Sequence, residues 1–425
     1  MFTVGGFRPG SRASSYVGDA TARGHGTSSL LSPCPTARGV APAGPPCHGP
    51  PCHHGDVASL RSSVARLLGR GGAPRPTAVA DPTGVAAPPP LVGFVVHGAG
   101  GVHPASAHIR VTGRMSALAA SGAARVAQVE PVRWADGTDT AHLDVLLVQR
   151  DAFPLASLDA AIERAHREGT RIVAEVDDDF FSREARARLV RAEYDPDRLA
   201  SVERLVAAAD VVVTSTEPLR TVLAASGIPA VVVPNAVQPG LWGTGASRPD
   251  PTGPRRVLYM GSATHGDDLA LLRPAFDGMV DDDGRAVRLE VVGVTDSDAD
   301  WFDRLDLPEG ATHYPEFVAF LRDNAHRWSA GVAPLTADPF NDAKSDLKFL
   351  EVSMLGLPFV ASDRPSYAGI DAHGGLLAPN EPAAWQQALR TAFREADDRV
   401  AQARSYVRAE RLVTADGDWR GALGL

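Results

Sequence analysis

From Leu91 onward the chain alternates short, continuous apolar runs with amphipathic helical stretches, and this alternation limits the fold more than any other feature. LVGFVVHG, LDVLLVQR, RIVAEVDDD, ADVVVTST and AVVVPNAV are the first five runs. HIRVTGRMSALAASG, LASLDAAIERAHREG and DRLASVERLVAAA lie between them with helical spacing. Strands that are apolar on both faces and separated by helices predict a parallel sheet covered on both sides. The Gly- and Pro-rich stretch QPGLWGTGASRPDPTGPR interrupts the pattern. It then restarts with RRVLYMGS, an expected amphipathic helix through LALLRPAFDGMV, RLEVVGV, SAGVAPL, a helix around DLKFLEVSMLG, and LPFVASD. EPAAWQQALRTAFREADDRVAQARSYVRAERL closes the chain as helix.

The expected fold class is α/β: two tandem Rossmann-like doubly wound domains with parallel sheets, facing across a cleft. The reading divides the chain into a disordered tail (1–90), a first Rossmann-like domain (91–240), a linker (241–254), a second Rossmann-like domain (255–390) and a C-terminal helical segment (391–425). Ligands of such sheets bind beyond the carboxyl ends of the strands, so two facing domains place the ligand between them.

The first 90 residues differ in composition. They contain no Glu and no Lys, and carry a net charge of +5 against −14 for the rest. Such a Gly/Pro/Ala-rich segment buries too little apolar surface to offset its ordering entropy. Within it, PPCHGPPCHHG offers a zinc-like cluster or a chance grouping in a disordered tail. VASLRSSVARLL can form an amphipathic helix that touches an anionic membrane face, or only a transient one. All three cysteines (34, 47 and 52) fall in this region, so no disulfide framework is expected beyond it. The overall charge of −9 argues against nucleic acid. With no apolar run of about 18 residues and no signal-type apolar segment, the expected location is cytoplasmic, with peripheral contact at the inner membrane face left open.

NDAKSDLKFLE, residues 341–351, holds the only two lysines of the chain, against 40 arginines. Ser345 is the expected N-cap of a helix running from Asp346 to Leu355 and stopped by Gly356 and Pro358. Lys344 and Lys348 then stand at the helix start, where a cation opposes the helix dipole by about 0.3–1 kcal/mol. Two cations there make sense with an anion bound to the unpaired N–H groups of the first turn, including those of Asp346 and Leu347. Glu351, one turn deeper, is placed to accept ribose hydroxyls. The outline is that of a nucleoside-diphosphate sugar; the alternative is an ordinary Lys348–Glu351 surface pair.

Further candidates are Gly261, Ser262 and His265 in MGSATHGDD, which could meet the diphosphate or form a plain turn, and Gly100 and Gly101 in HGAGGVHPAS, which would admit the backbone close to a ligand. The latter loop lacks the G-x-G-x-x-G spacing of a dinucleotide site. Arg110 could reach a phosphate or belong to a structural ion pair. In EVDDDFF, Asp178 and Asp179 could orient or deprotonate an acceptor hydroxyl, or cap a helix. The stretch also mimics the D-x-D of the single-domain glycosyltransferase fold GT-A, which two tandem sheets do not match, and a phosphatase nucleophile motif in which Glu175 would wrongly replace aspartate.

Lys344-Ser345-x-Leu347-Lys348-x-Leu350-Glu351 resembles the K-S-x-L-K-x-L-E donor segment of retaining GT-B glycosyltransferases (group 1 type), above all those of bacterial O-antigen and surface polysaccharides. ASAHIRV, DVLLVQR, RIVAEVDDDFF, ADVVVTSTEPLR, VVVPNAV, LYMGSATHGDDL and GGLLAPNEPAAW follow in matching order, so that the resemblance covers roughly residues 91–415. It implies sugar transfer from a nucleotide-diphosphate donor, with retained configuration, no metal and no cofactor beyond that co-substrate, to a glycan, lipid-linked or small-molecule acceptor. Lys348 would then stabilise the leaving group. Many of these enzymes carry two glutamates spaced E-x7-E; Glu351 matches the second, but Ala343 stands at the first. That departure keeps two alternatives open: a sugar-nucleotide epimerase or phosphorylase-like enzyme on the same fold, and a non-catalytic partner subunit.

Overall fold

The computed structural model describes residues 87–98, 103–243, 252–261, 266–293, 300–311, 313–414 and 418–425. Two six-stranded, wholly parallel sheets form the core. The first contains β1 (Leu91–Val95), β2 (Arg125–Gln128), β3 (Val145–Gln149), β4 (Arg171–Val176), β5 (Val211–Thr214) and β6 (Val231–Val232), in the order β2-β1-β3-β4-β5-β6. The second contains β7 (Arg255–Met260), β8 (Val287–Val292), β9 (Asp303–Leu305), β10 (Ala330–Ala333), β11 (Phe359–Ser362) and β12 (Leu376–Ala378), in the order β12-β11-β10-β7-β8-β9. The central strands are buried along almost their whole length, as their continuous Val/Leu/Ala runs require. The edge strands β2 and β9 are short and partly exposed, and carry no such run.

In each sheet the order reverses beside the first strand, leaving a crevice at the carboxyl ends of β1 and β3 and of β7 and β10. The loops leaving those four strands therefore make the site. Helices pack on both faces, among them α1 (Leu155–Glu168), α2 (Pro196–Ala208), α3 (Tyr314–Asn324), α4 (Leu347–Leu355), α5 (Pro382–Arg394) and α6 (Ala396–Glu410).

Two local expectations need correction. LALLRPAFDGMV is not one helix: Gly266–Ala270 and Arg273–Phe276 are separate short helices, because Pro274 lacks the N–H that would continue the first. The segment from Asp338 to Ala343 is not a plain loop but holds a short helix, Pro339–Asp342, whose start is capped by Asp338 through the Phe340 N–H at 2.7 Å.

The two sheets are joined by exchanged side chains. Ala105 and Ile109, just after β1, pack in the core of the second sheet, together with Val237 and Trp242. Ala343, from the second half of the chain, packs in the core of the first. The last helix, Asp418–Leu423, returns to the first sheet, where Trp419, Ala422 and Leu423 are buried against β1, β3 and β5 residues.

Candidate active site

The lysine segment leaves β10 at the crevice of the second sheet. Asp268 organises it: one carboxylate oxygen accepts from Thr336 N at 2.7 Å, Thr336 Oγ1 at 2.8 Å and Asn341 Nδ2 at 3.0 Å. This ties the helix after β7 to the loop after β10. Ser345 does not cap α4. The helix starts at Leu347 with Asp346 at the cap position, and Asp346 makes no capping bond. Its carboxylate instead takes both terminal nitrogens of Arg411 at 2.7 Å, and Ser345 Oγ accepts from Asn235 Nδ2 at 2.7 Å. The Asp346 carboxylate is thereby committed within the protein, while the Ser345 hydroxyl still has its proton to donate. In the first α4 turn Phe349 N already donates to Asp346 O at 2.8 Å, and the N–H groups of Leu347 and Lys348, at the very start of the helix, have no acceptor within it.

The two lysines each lie over an aromatic ring. Among the described residues, neither has a carboxylate within ion-pair distance. Lys348 lies with Nζ 5.1 Å from the centre of the Tyr259 ring, and Lys344 with Nζ 4.6 Å from that of Phe340. Burial, reinforced by Lys344, pulls the Lys348 ammonium down to about 8, while Asp268 and Glu351 oppose the shift. Gly261, at the end of β7, completes this wall; a Cβ there would meet Tyr259 Oη at 2.6 Å, so the residue lets the chain pass close over that ring. Ser262, His265, Gly100 and Gly101 lie outside the described residues.

Glu351 is buried one turn further along α4. Its Oε1 accepts the hydroxyl of Tyr314 at 2.6 Å. Burial raises its carboxyl above the ordinary range; the Tyr314 bond and Lys348 work against that.

On the first sheet, the three aspartates after β4 have three fates. Asp177 accepts from Arg150 Nη1 at 3.2 Å. Asp179 accepts from the N–H groups of Phe181 and Ser182, each at 2.9 Å, and from Ser182 Oγ, ahead of the helix Arg183–Arg191. These bonds match the helix-capping alternative for Asp179. Asp178 touches Arg150 Nη1 at 3.4 Å through Oδ2, while its Oδ1 is buried and has no partner. Burial raises this carboxyl, and Lys344 is the leading influence in the opposite direction. Asp178 and Lys344 thus feel one another although they come from different sheets.

Arg110 forms the ion pair that was one of its two expected roles. Its Nε donates to Glu175 Oε1 at 2.7 Å, Nη1 to Val233 O at 2.6 Å and Asn235 Oδ1 at 2.9 Å, and Nη2 to Thr214 O at 3.3 Å. It is 1% exposed and holds the carboxyl ends of β4, β5 and β6 together.

Four residues missed by sequence reasoning bear on the site. Asn235 links Arg110 to Ser345. Asp268 shapes the lysine segment. Tyr314 orients Glu351. His97, at the end of β1, bonds Asp151 at 2.8 Å, and Asp151 is fixed in turn by Tyr194 and Arg198. Only His97 had a visible signal, a histidine followed by glycine directly after a buried strand; the others depend on contacts dozens of residues away.

Residues 254–395 match the family model described as "Glycosyl transferases group 1". No curated protein matches the sequence. Among solved structures, Anabaena Alr3699/HepE in complex with UDP and glucose is similar at a TM-score of 0.51 and 11% identity, over 76% of this chain and 96% of that one. TarM is similar at a TM-score of 0.48 and 11% identity, over 68% of this chain but only 57% of its own length. Residues 254–395, which carry the second sheet and its crevice, thus match a group 1 glycosyl transferase domain, and the chain has the GT-B fold.

Proposed function

We propose that the protein transfers a sugar from a nucleoside-diphosphate sugar to an acceptor hydroxyl in glycan biosynthesis. The observation that carries this reading is the pair Lys344 and Lys348, the only lysines of the chain, held without carboxylate partners among the described residues beside the open first turn of α4. A partly buried ammonium pair is unfavourable alone and is offset when a diphosphate lies between it and the helix end. The Anabaena HepE structures hold UDP with glucose and UDP-glucose, which supports a donor of this class.

In this reading Lys348, Lys344, Gly261 and the α4 N–H groups hold the diphosphate, with Ser262, His265, Gly100 and Gly101 as further contacts. Glu351 takes the ribose hydroxyls. Transfer breaks the bond between the anomeric carbon and the phosphate oxygen, and forms one from the acceptor oxygen to that carbon. The acceptor proton passes to the leaving diphosphate, as expected for a retaining enzyme of the kind the sequence resembles. Preorganised positive charge at the leaving group is then the chief catalytic requirement, and the lysines supply it without a metal ion. Asp178, buried with a free oxygen and facing the charge of Lys344, orients the acceptor hydroxyl.

Calorimetric titration with UDP, GDP and dTDP, then incubation of the matching sugar nucleotides with candidate glycan, lipid-linked and small-molecule acceptors in a chelator, tests this reading. Binding of one nucleotide and acceptor-dependent sugar transfer that survives chelation is the expected result. No binding of any nucleoside diphosphate, or conversion of the sugar nucleotide without an acceptor, would overturn it.

A further inference from the structure

We propose that Tyr314 is a positioning residue for recognition of the donor ribose, acting through Glu351 and tied to the first sheet by its own backbone. The inference rests on the donor-site reading above and extends it to a residue outside the donor segment.

Tyr314 opens α3 and is 2% exposed. Its hydroxyl donates to Glu351 Oε1 at 2.6 Å, while Oε2 takes no hydrogen bond among the described residues. A carboxylate can accept along several lone-pair directions. One bond from a rigid phenol fixes its plane and leaves acceptor capacity for two neighbouring ribose hydroxyls. The phenol is itself held from two sides: its ring centre lies 5.3 Å from that of His108 and 6.5 Å from that of Trp242. Donation also stabilises the ionised form of Glu351, which burial alone would disfavour.

The backbone extends the linkage across the cleft. Tyr314 N donates to His103 O at 3.2 Å, and His103 N donates to His313 Nδ1 at 3.1 Å. His103, which follows β1 in the chain, is thus bonded to the residue that aims Glu351. Orientation of the ribose-binding acid and the placement of His103 are therefore one arrangement.

The test compares ribose and 2′-deoxyribose. Affinities of UDP and GDP, each against its 2′-deoxy form, are measured by calorimetry for wild-type protein, Tyr314→Phe, Glu351→Gln and the double variant. Wild-type protein is expected to prefer the ribonucleotide. Tyr314→Phe should weaken the ribonucleotide by about fivefold to tenfold, within the net worth of one ordinary hydrogen bond, and weaken the 2′-deoxy form, which offers Glu351 only its 3′-hydroxyl, by less. The preference shrinks accordingly, and in the Glu351→Gln background the substitution should add no further loss. The pH at which affinity falls on the acid side should rise in Tyr314→Phe, because Glu351 loses its donor. If Tyr314→Phe does not fold, fluorotyrosine at position 314, nearly isosteric and a stronger donor, should move that pH downward. An undiminished ribose preference in Tyr314→Phe, or an unmoved acid limb with fluorotyrosine, overturns this inference alone. Wild-type protein that binds no nucleoside diphosphate overturns the donor-site reading and this inference together.

Discussion

Thr216 Oγ1, beyond β5 of the first sheet, donates to the backbone carbonyl of Ala343, beyond β10 of the second, at 2.8 Å. The bond puts Ala343, 4% exposed, among the core side chains of the first domain. An alanine suits this position because the site faces apolar packing. Ala343→Glu would bury a carboxylate with no partner, at a cost on the order of 2 kcal/mol or more. Thermal denaturation should show Tm lower by several degrees, with no gain in sugar-nucleotide affinity. An unchanged Tm would show that the packing at Ala343 is not maintained in solution.

Lys348 should give nucleotide binding a pH dependence on the alkaline side. Its ammonium is pulled down to about 8, chiefly by burial. Its charge is therefore lost at a pH where an ordinary lysine keeps it, and anion affinity should fall as pH rises through about 8. In the ligand-free protein the sign for stability is the opposite. The folded state binds fewer protons than the unfolded one between about 8 and the ordinary lysine value of 10.5, so stability rises with pH across that window. Lys348→Ala should weaken nucleoside-diphosphate binding by more than about tenfold at pH 7. Lys348→Arg should recover only part of it but remove the pH dependence, because guanidinium stays charged. Calorimetry from pH 7 to 9.5 measures both, and a flat wild-type profile would contradict the assignment.

Where the fold comes from local pattern, the sequence discloses it; where it comes from long-range contact, it does not. The central strands are continuous apolar runs and could be recognised individually. Edge strands such as Asp303–Leu305 are short and half exposed, and nothing in DRL distinguishes them from a turn. The lysine segment stood out because two compact cations in an arginine-rich chain form a compositional contrast. The roles of its neighbours did not, since Ser345 bonds Asn235, 110 residues away, and Asp346 bonds Arg411, 65 away. Arg110 was ambiguous for the same reason: its carboxylate partner, Glu175, is 65 residues distant.

Arg110 and Glu175 should act on stability, not on donor affinity. Both side chains are buried, and burial pushes the Glu175 carboxyl up to about 7 even though Arg110 opposes the shift. Arg110→Met removes the counter-charge and several bonds to the strand ends, a loss of about 3–5 kcal/mol in comparable pairs. The folded state holds a proton on Glu175 that the unfolded state has released between the ordinary glutamate value of 4.5 and about 7, so this group's contribution to stability falls as pH rises through that window. The destabilisation by Arg110→Met should be larger at pH 8 than at pH 5.5, where Glu175 is neutral. Urea unfolding at both values measures it, and Arg110→Met with Glu175→Gln should lose the pH difference. An equal loss at both pH values would mean that Glu175 is not the residue left unpaired.

Asp178 should divide binding from turnover. Its Oδ1 is buried without a partner, and its charge is balanced by Lys344 across the cleft and by Arg150 beneath it. Asp178→Asn keeps the shape but removes the negative charge, leaving Lys344 less compensated. Nucleoside-diphosphate affinity should then stay within about twofold of wild type or tighten, since an anion meets a more positive site. Turnover should fall by about tenfold to a hundredfold if the carboxylate aligns the acceptor hydroxyl, because orientation of a reacting group acts on the barrier and not on donor binding. Initial rates with saturating donor and varied acceptor, set beside calorimetric Kd values, separate the two effects. Asp179→Asn should instead lower Tm through its lost cap and change turnover little. A variant at Asp178 that transfers sugar at the wild-type rate would remove it from the acceptor site.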